Sequence, residues 1–65
     1  MTKEQPTRRM VRLLKDAGFV AIRSKGSHTV YSYGDISITV PDGHRTVSPG
    51  VVREIEKAIA ASKLH

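Results

Sequence analysis

A chain of 65 residues makes one small domain that buries only about 60% of the surface exposed in its unfolded state, so any site is expected as a surface groove and not as a deep pocket for a small-molecule ligand. It has no cysteine, which excludes a disulfide framework and a thiolate zinc site; no apolar run reaches transmembrane length, and the opening residues carry no signal-peptide pattern. The formal net charge is +5, and it is lopsided: residues 1–33 hold seven Lys and Arg against two acids, while residues 34–65 hold four of each sign. A one-sided basic field is the footprint of a phosphate-backbone partner, with an acidic protein surface as the competing partner and a merely solvated cationic face as the third possibility. The expectation is a cytoplasmic protein that makes no use of a membrane.

Met1 to Gln5 is polar and expected to fray. Thr2-x-x-Gln5 has the spacing of a capping box, but proline is tolerated only in the first turn of a helix, so the first helix is expected to start near Pro6 or Thr7. Met10, Val11, Leu14 and Ala17 fall at helical spacing, with Leu13 beside them and Arg8, Arg12 and Lys15 mostly opposite. Gly18 stands where a left-handed C-cap belongs, and Phe19 after it can pack back on Leu14. The face carrying Arg8, Arg9 and Arg12 reads either as a set of phosphate contacts or as an ordinary solvated helix face.

Phe19–Ser24 and His28–Tyr33 read as two strands joined by a tight, basic, glycine-containing turn. Gly34-Asp35 makes a second hairpin turn into Ile36–Val40, whose clean alternation directs Ile36, Ile38 and Val40 toward the helices. In the second strand, Val30 is in phase with His28 and Ser32. If Val30 faces the core, His28 comes to the rim of that face, and Tyr31 and Tyr33 either cover an open sheet face or stack on RNA bases; a one-residue bulge would invert the assignment. Pro41 ends the third strand, and Asp42-Gly43 turns the chain into a loop with His44 and Arg45. His44 reads as a solvated loop residue or as a further member of a site. No cluster of carboxylates and histidines has metal-ligand spacing, and neither a metal nor another cofactor is expected. Ser48 is a good N-cap with Pro49 at the first helical position, and Val47 and Val52 are placed as a hydrophobic staple. The last helix is expected to run to about Ala61 on a stripe of Val52, Ile55 and Ile59. Its N-terminus, where Gly50 permits close approach, can hold a phosphate.

The chemistry concentrates between the first two strands. Gly26 lets the backbone turn or approach a ligand, Ser27 offers a hydroxyl, and His28 offers the one side-chain type whose unperturbed pKa lies near neutral pH. Arg23 and Lys25 flank them with positive charge. A histidine with a hydroxyl beside it in a basic hairpin suggests proton transfer on an anionic substrate; the alternative is a surface or packing histidine.

Arg23-x-x-Gly26-Ser27-His28-x-x-Tyr31 resembles the signature of the HicA (YcfA-like) toxin family. The likeness extends to Leu13-Leu14-x-x-x-Gly18-Phe19, Val40-Pro41-x-x-His44 and Ser48-Pro49-Gly50-Val51-Val52-Arg53-x-Ile55, and so from about Thr7 to Ile59. The element order, helix, three-stranded antiparallel meander and helix with both helices on one face, is an α+β architecture that resembles the double-stranded-RNA-binding domain, the fold that the family likeness also implies. In such folds the first helix, the first hairpin turn and the last helix's N-terminus can face RNA together.

The resemblance implies metal-independent cleavage of mRNA centred on His28 as general acid/base, and a HicB-type antitoxin that covers the site. RNA carries its own nucleophile, the 2′-hydroxyl, so a small chain needs to supply only a base, an acid and positive charge. Arg23, Lys25 and Ser27 are the candidates to orient or neutralise the phosphate, and Arg8, Arg9, Arg12, Gly26 and Gly50 to hold RNA. A non-catalytic RNA-binding module of the same fold, and a protein-interaction domain whose positive face serves only its partner, are the other readings.

Overall fold

The computed structural model describes residues 3–64; Thr2, and with it the capping-box reading, lies outside them. The elements are β1 (Gln5–Pro6), α1 (Thr7–Asp16), β2 (Val20–Lys25), β3 (His28–Tyr33), β4 (Ile36–Val40), β5 (Thr46–Val47) and α2 (Pro49–Ser62). The main sheet is an antiparallel meander in the order β2-β3-β4. No helix among the described residues is long and apolar enough to cross a membrane.

Local chemistry sets the helix ends as the spacing predicts. α1 stops in a Schellman motif: the Phe19 N–H donates to Leu14 O at 3.0 Å and the Gly18 N–H to Lys15 O at 3.0 Å. Gly18 has a φ of +102°, and a Cβ on it would lie 2.8 Å from Tyr33 Cε2, so both conformation and space demand glycine there. Phe19 therefore belongs to the helix stop and the core, and the strand begins one residue later. At α2, the Ser48 hydroxyl accepts from the Val51 N–H and Pro49 takes the first turn. Val47 and Val52 are both buried, as a staple requires.

The core is a single layer between the helices and one face of the sheet: Met10 and Leu14 of α1, Phe19, Tyr31, Ile38 and Val40 of the sheet side, and Val47, Val52 and Ile55. Ile38 and Val40 point inward as their alternation predicts. The phase of β3 is the opposite of the one based on Val30. Tyr31 is 3% exposed and Thr29 is buried, while Tyr33 packs against Phe19 with ring centroids 5.6 Å apart. A tyrosine removes more apolar area from water than a valine, and the Tyr31 hydroxyl finds an acceptor in Asp42 Oδ2 at 3.2 Å, so its burial leaves no polar group unpaired. His28, Val30 and Ser32 consequently occupy the face turned away from the helices. A bulge does occur, in β2: Ala21 pairs with Tyr31 and Arg23 with Val30, so Ile22 is the extra residue.

β1 and β5 form a second, two-stranded ladder, Gln5 with Val47 and Pro6 with Thr46. The polar segment expected to fray is thus tied down from Gln5 onward, and the ladder joins the residues that lead into α1 to those that lead into α2.

Candidate nucleic-acid site

The hairpin between β2 and β3 turns through two residues, Gly26 and Ser27, with Lys25 and His28 as the closing pair. Gly26 has a φ of +60°, a backbone state that glycine reaches without steric cost. Directly paired residues of an antiparallel sheet project from the same face. Lys25 therefore stands beside His28, and Arg23, the partner of Val30, stands one step further along. All three side chains are exposed. Ser27 Oγ lies 3.5 Å from His28 Nδ1, at the outer limit of a hydrogen bond.

The turn is fastened from behind. The Gly43 N–H donates to Ser27 O at 2.9 Å, and Gly43 approaches so closely that a Cβ there would sit 2.3 Å from Ser27 Cβ. The same loop is bound to the start of α1, where the Thr7 N–H donates to Arg45 O at 3.0 Å and the buried Thr7 hydroxyl donates to His44 O at 2.6 Å. On its inner side Asp42 accepts from Tyr31. Burial first, and then the Asp42 charge and the hydrogen bond to it, raise the Tyr31 hydroxyl above the ordinary tyrosine pKa of 10.0.

The structure thus gathers Arg23, Lys25, Gly26, Ser27 and His28 at one end of the open sheet face. The α1 arginines lie on the helix layer and divide. Arg8, with Lys15, lines a groove between α1 and the 41–45 loop. Arg9 lines a different groove, between the helices, with Lys3 and Arg53. Arg12 is exposed. Gly50, in the first turn of α2, has open space where a Cβ would stand, so packing does not require glycine there. Among the described residues, no three His, Cys, Asp or Glu side chains lie together as a metal-ion site. Gly43 and Asp42, which fasten the turn and Tyr31, are the site-forming residues that sequence reasoning took only as a loop turn.

Two helices on one face of a three-stranded antiparallel meander, with a basic hairpin at its end, define an α+β domain compatible with the double-stranded-RNA-binding-domain-like class. A family model described as the HicA toxin of bacterial toxin-antitoxin matches residues 7–60, and the chain belongs to the HicA toxin family. It is accordingly the toxin of a toxin–antitoxin system, with an antitoxin as its partner. No curated protein and no solved structure matches it.

Proposed function

We propose that this toxin is a metal-independent endoribonuclease that cleaves mRNA with His28 as its general acid/base. The observation that carries the reading is the exposed His28 at the end of a basic hairpin, with Lys25 directly across from it and Arg23 next along the same face. Neutral imidazole takes the proton of the substrate's 2′-hydroxyl. The 2′-oxygen then attacks the adjacent phosphorus, and the bond from phosphorus to the 5′-oxygen breaks. The departing oxygen recovers a proton from the imidazolium, directly or through water, leaving a 2′,3′-cyclic phosphate and a 5′-hydroxyl. Lys25 and Arg23 offset the charge that builds on the phosphate, Ser27 orients the imidazole, and Gly26 lets the RNA backbone come close. A positioned proton-transfer group contributes about 10²–10⁴-fold to rate, enough for a modest nuclease working on a substrate with a built-in nucleophile.

The partner in this reading is a HicB-type antitoxin that covers the open sheet face, where a cationic surface suits an acidic cover. The setting is the cytoplasm, where mRNA is found. The test is labelled RNA incubated with the parent protein and with His28→Ala. Cleavage by the parent and none by the variant is expected, with stability unchanged to within about 0.5 kcal/mol because the residue is exposed. Equal cleavage by both removes His28 from the chemistry. Binding by both with cleavage by neither makes the chain an RNA-binding module.

A further inference from the structure

The groove between α1 and the 41–45 loop has no place in the chemistry just described. It encloses about 440 Å³. Arg8 and Lys15 line it from α1, and His44 and Arg45 from the loop. The first two are seven residues apart on one side of the helix, about 10 Å along its axis. The floor is the buried Tyr31, whose hydroxyl is engaged by Asp42. Asp42 is the one acid on the lining, set against Arg8, Lys15 and Arg45. The loop that carries Asp42 and Arg45 is held from two sides, by Thr7 at the helix start, which bonds to His44 O and Arg45 O, and by Ser27 at the hairpin turn, whose carbonyl accepts from the Gly43 N–H.

We propose that this groove is a second phosphate-binding subsite, which holds the RNA backbone beyond the scissile bond; the proposal rests on the RNA reading of the His28 face. The loop that forms one wall of the groove is the loop that fastens the turn beside His28, through Gly43 and Ser27. A strand lying over His28 that passes the sheet end at this contact meets Arg45 and His44, then Arg8 and Lys15. An antitoxin that masks the open face has no need to enter a groove on the helix layer, so an RNA backbone fits the placement better than an acidic protein surface. The interhelical groove lined by Arg9 lies on the other side of α1 and takes no part in this path.

The experiment uses His28→Ala as background, so that bound RNA stays intact. Affinity for a fluorescently labelled single-stranded RNA of a dozen nucleotides is measured from low to moderate salt. Lys15→Ala and Arg45→Ala, singly and together, are compared with Lys57→Ala, which lies beside β4 on α2. Each lost phosphate contact should lower the log–log salt slope by about 0.7 for a single strand. The expected result is a fall of that size for each groove residue, about twice that for the pair, and none for Lys57→Ala. An unchanged slope in the double variant overturns the subsite, as does a failure of the background protein to bind RNA at all. Weaker binding to the antitoxin with RNA binding untouched assigns the groove to the protein partner and also overturns it. Cleavage by the parent is scored separately. A cleaving parent with unchanged slopes sinks the subsite alone, whereas reduced slopes with a parent that does not cleave sink the chemistry and leave the groove as an RNA site.

Discussion

Adding one methyl group at Gly43 should disable the site while leaving each of its own side chains intact. The Cβ of Gly43→Ala would lie 2.3 Å from Ser27 Cβ and 2.7 Å from Ser27 Cα, whereas carbon atoms settle about 3.5–4.0 Å apart. Relieving the closer contact therefore needs the loop and the turn to part by roughly 1.2–1.7 Å. Gly43 has no positive φ, so close approach alone accounts for the glycine. Parting also stretches the 2.9 Å hydrogen bond from Gly43 to Ser27 and carries His28, the next residue, with the turn. A misplacement of about 1 Å at a reacting group costs on the order of 10²-fold in rate, and overpacking costs about 1–3 kcal/mol of stability. The assay is single-turnover cleavage of labelled RNA at a temperature where urea titrations show parent and variant both folded. A purely structural role for Gly43 would lower the melting temperature and leave the rate of the folded protein alone. A folded Gly43→Ala protein that cleaves within threefold of the parent refutes the positioning argument.

Two further outcomes are expected. If His28 activates the substrate's own hydroxyl, a single 2′-deoxy substitution at the cut position should stop cleavage there, DNA of the same sequence should bind and survive, and EDTA should change nothing; cleavage of the deoxy strand at that bond, or loss of activity in EDTA, would remove the internal nucleophile. For Tyr31, the folded-state pKa is raised, so the neutral hydroxyl stabilises the fold fully below the ordinary pKa of about 10 and progressively less above it. Tyr31→Phe should cost about 0.5–1.5 kcal/mol near neutral pH through the lost bond to Asp42, and that difference should shrink in urea titrations carried above pH 10; a difference that stays constant to pH 11 would contradict the assigned cause.

What could be read in the residues was what local chemistry decides. The Gly18 stop, the Ser48 cap and the inward set of Ile38 and Val40 each follow from neighbours within a few positions, and each is found in the structure. The phase of β3 was not legible in this way, because His-Thr-Val-Tyr-Ser-Tyr offers apolar side chains in both phases. The decision came from Tyr31 reaching Asp42, which lies on another element. The β1–β5 ladder was hidden for a related reason: two-residue strands leave no periodicity, and their pairing joins Gln5 to Val47, far apart in the sequence. For the candidate site, the hairpin residues from Arg23 to His28 stood out by type and spacing. Gly43 did not, since its importance is the proximity of Ser27, and nothing in an Asp-Gly pair announces a tertiary neighbour. The split of Arg8 from Arg9 into separate grooves likewise needed the placement of α2 and of the loop.

Strand β2 has a consequence for how copies of this molecule behave together. It is exposed along its whole length, with Val20 60% and Ile22 59% accessible. It lies at the margin of the sheet, and among the described residues nothing pairs with its outer row of backbone groups. Such a margin invites strand-to-strand association between molecules, and proteins blunt it with bulges and with charge. Here the bulge at Ile22 bends the strand, and Arg23 and Lys25 set like charges against one another in any edge-to-edge approach, on molecules that each carry +5. The repulsion reaches about 10 Å at 0.1 M salt but only about 3 Å at 1 M. Concentrated salt, or a polyanion that occupies the cations, lifts this guard and leaves an apolar margin open to its own kind. The side chains that would draw a nucleic acid to the hairpin are thus also those that keep the protein dispersed.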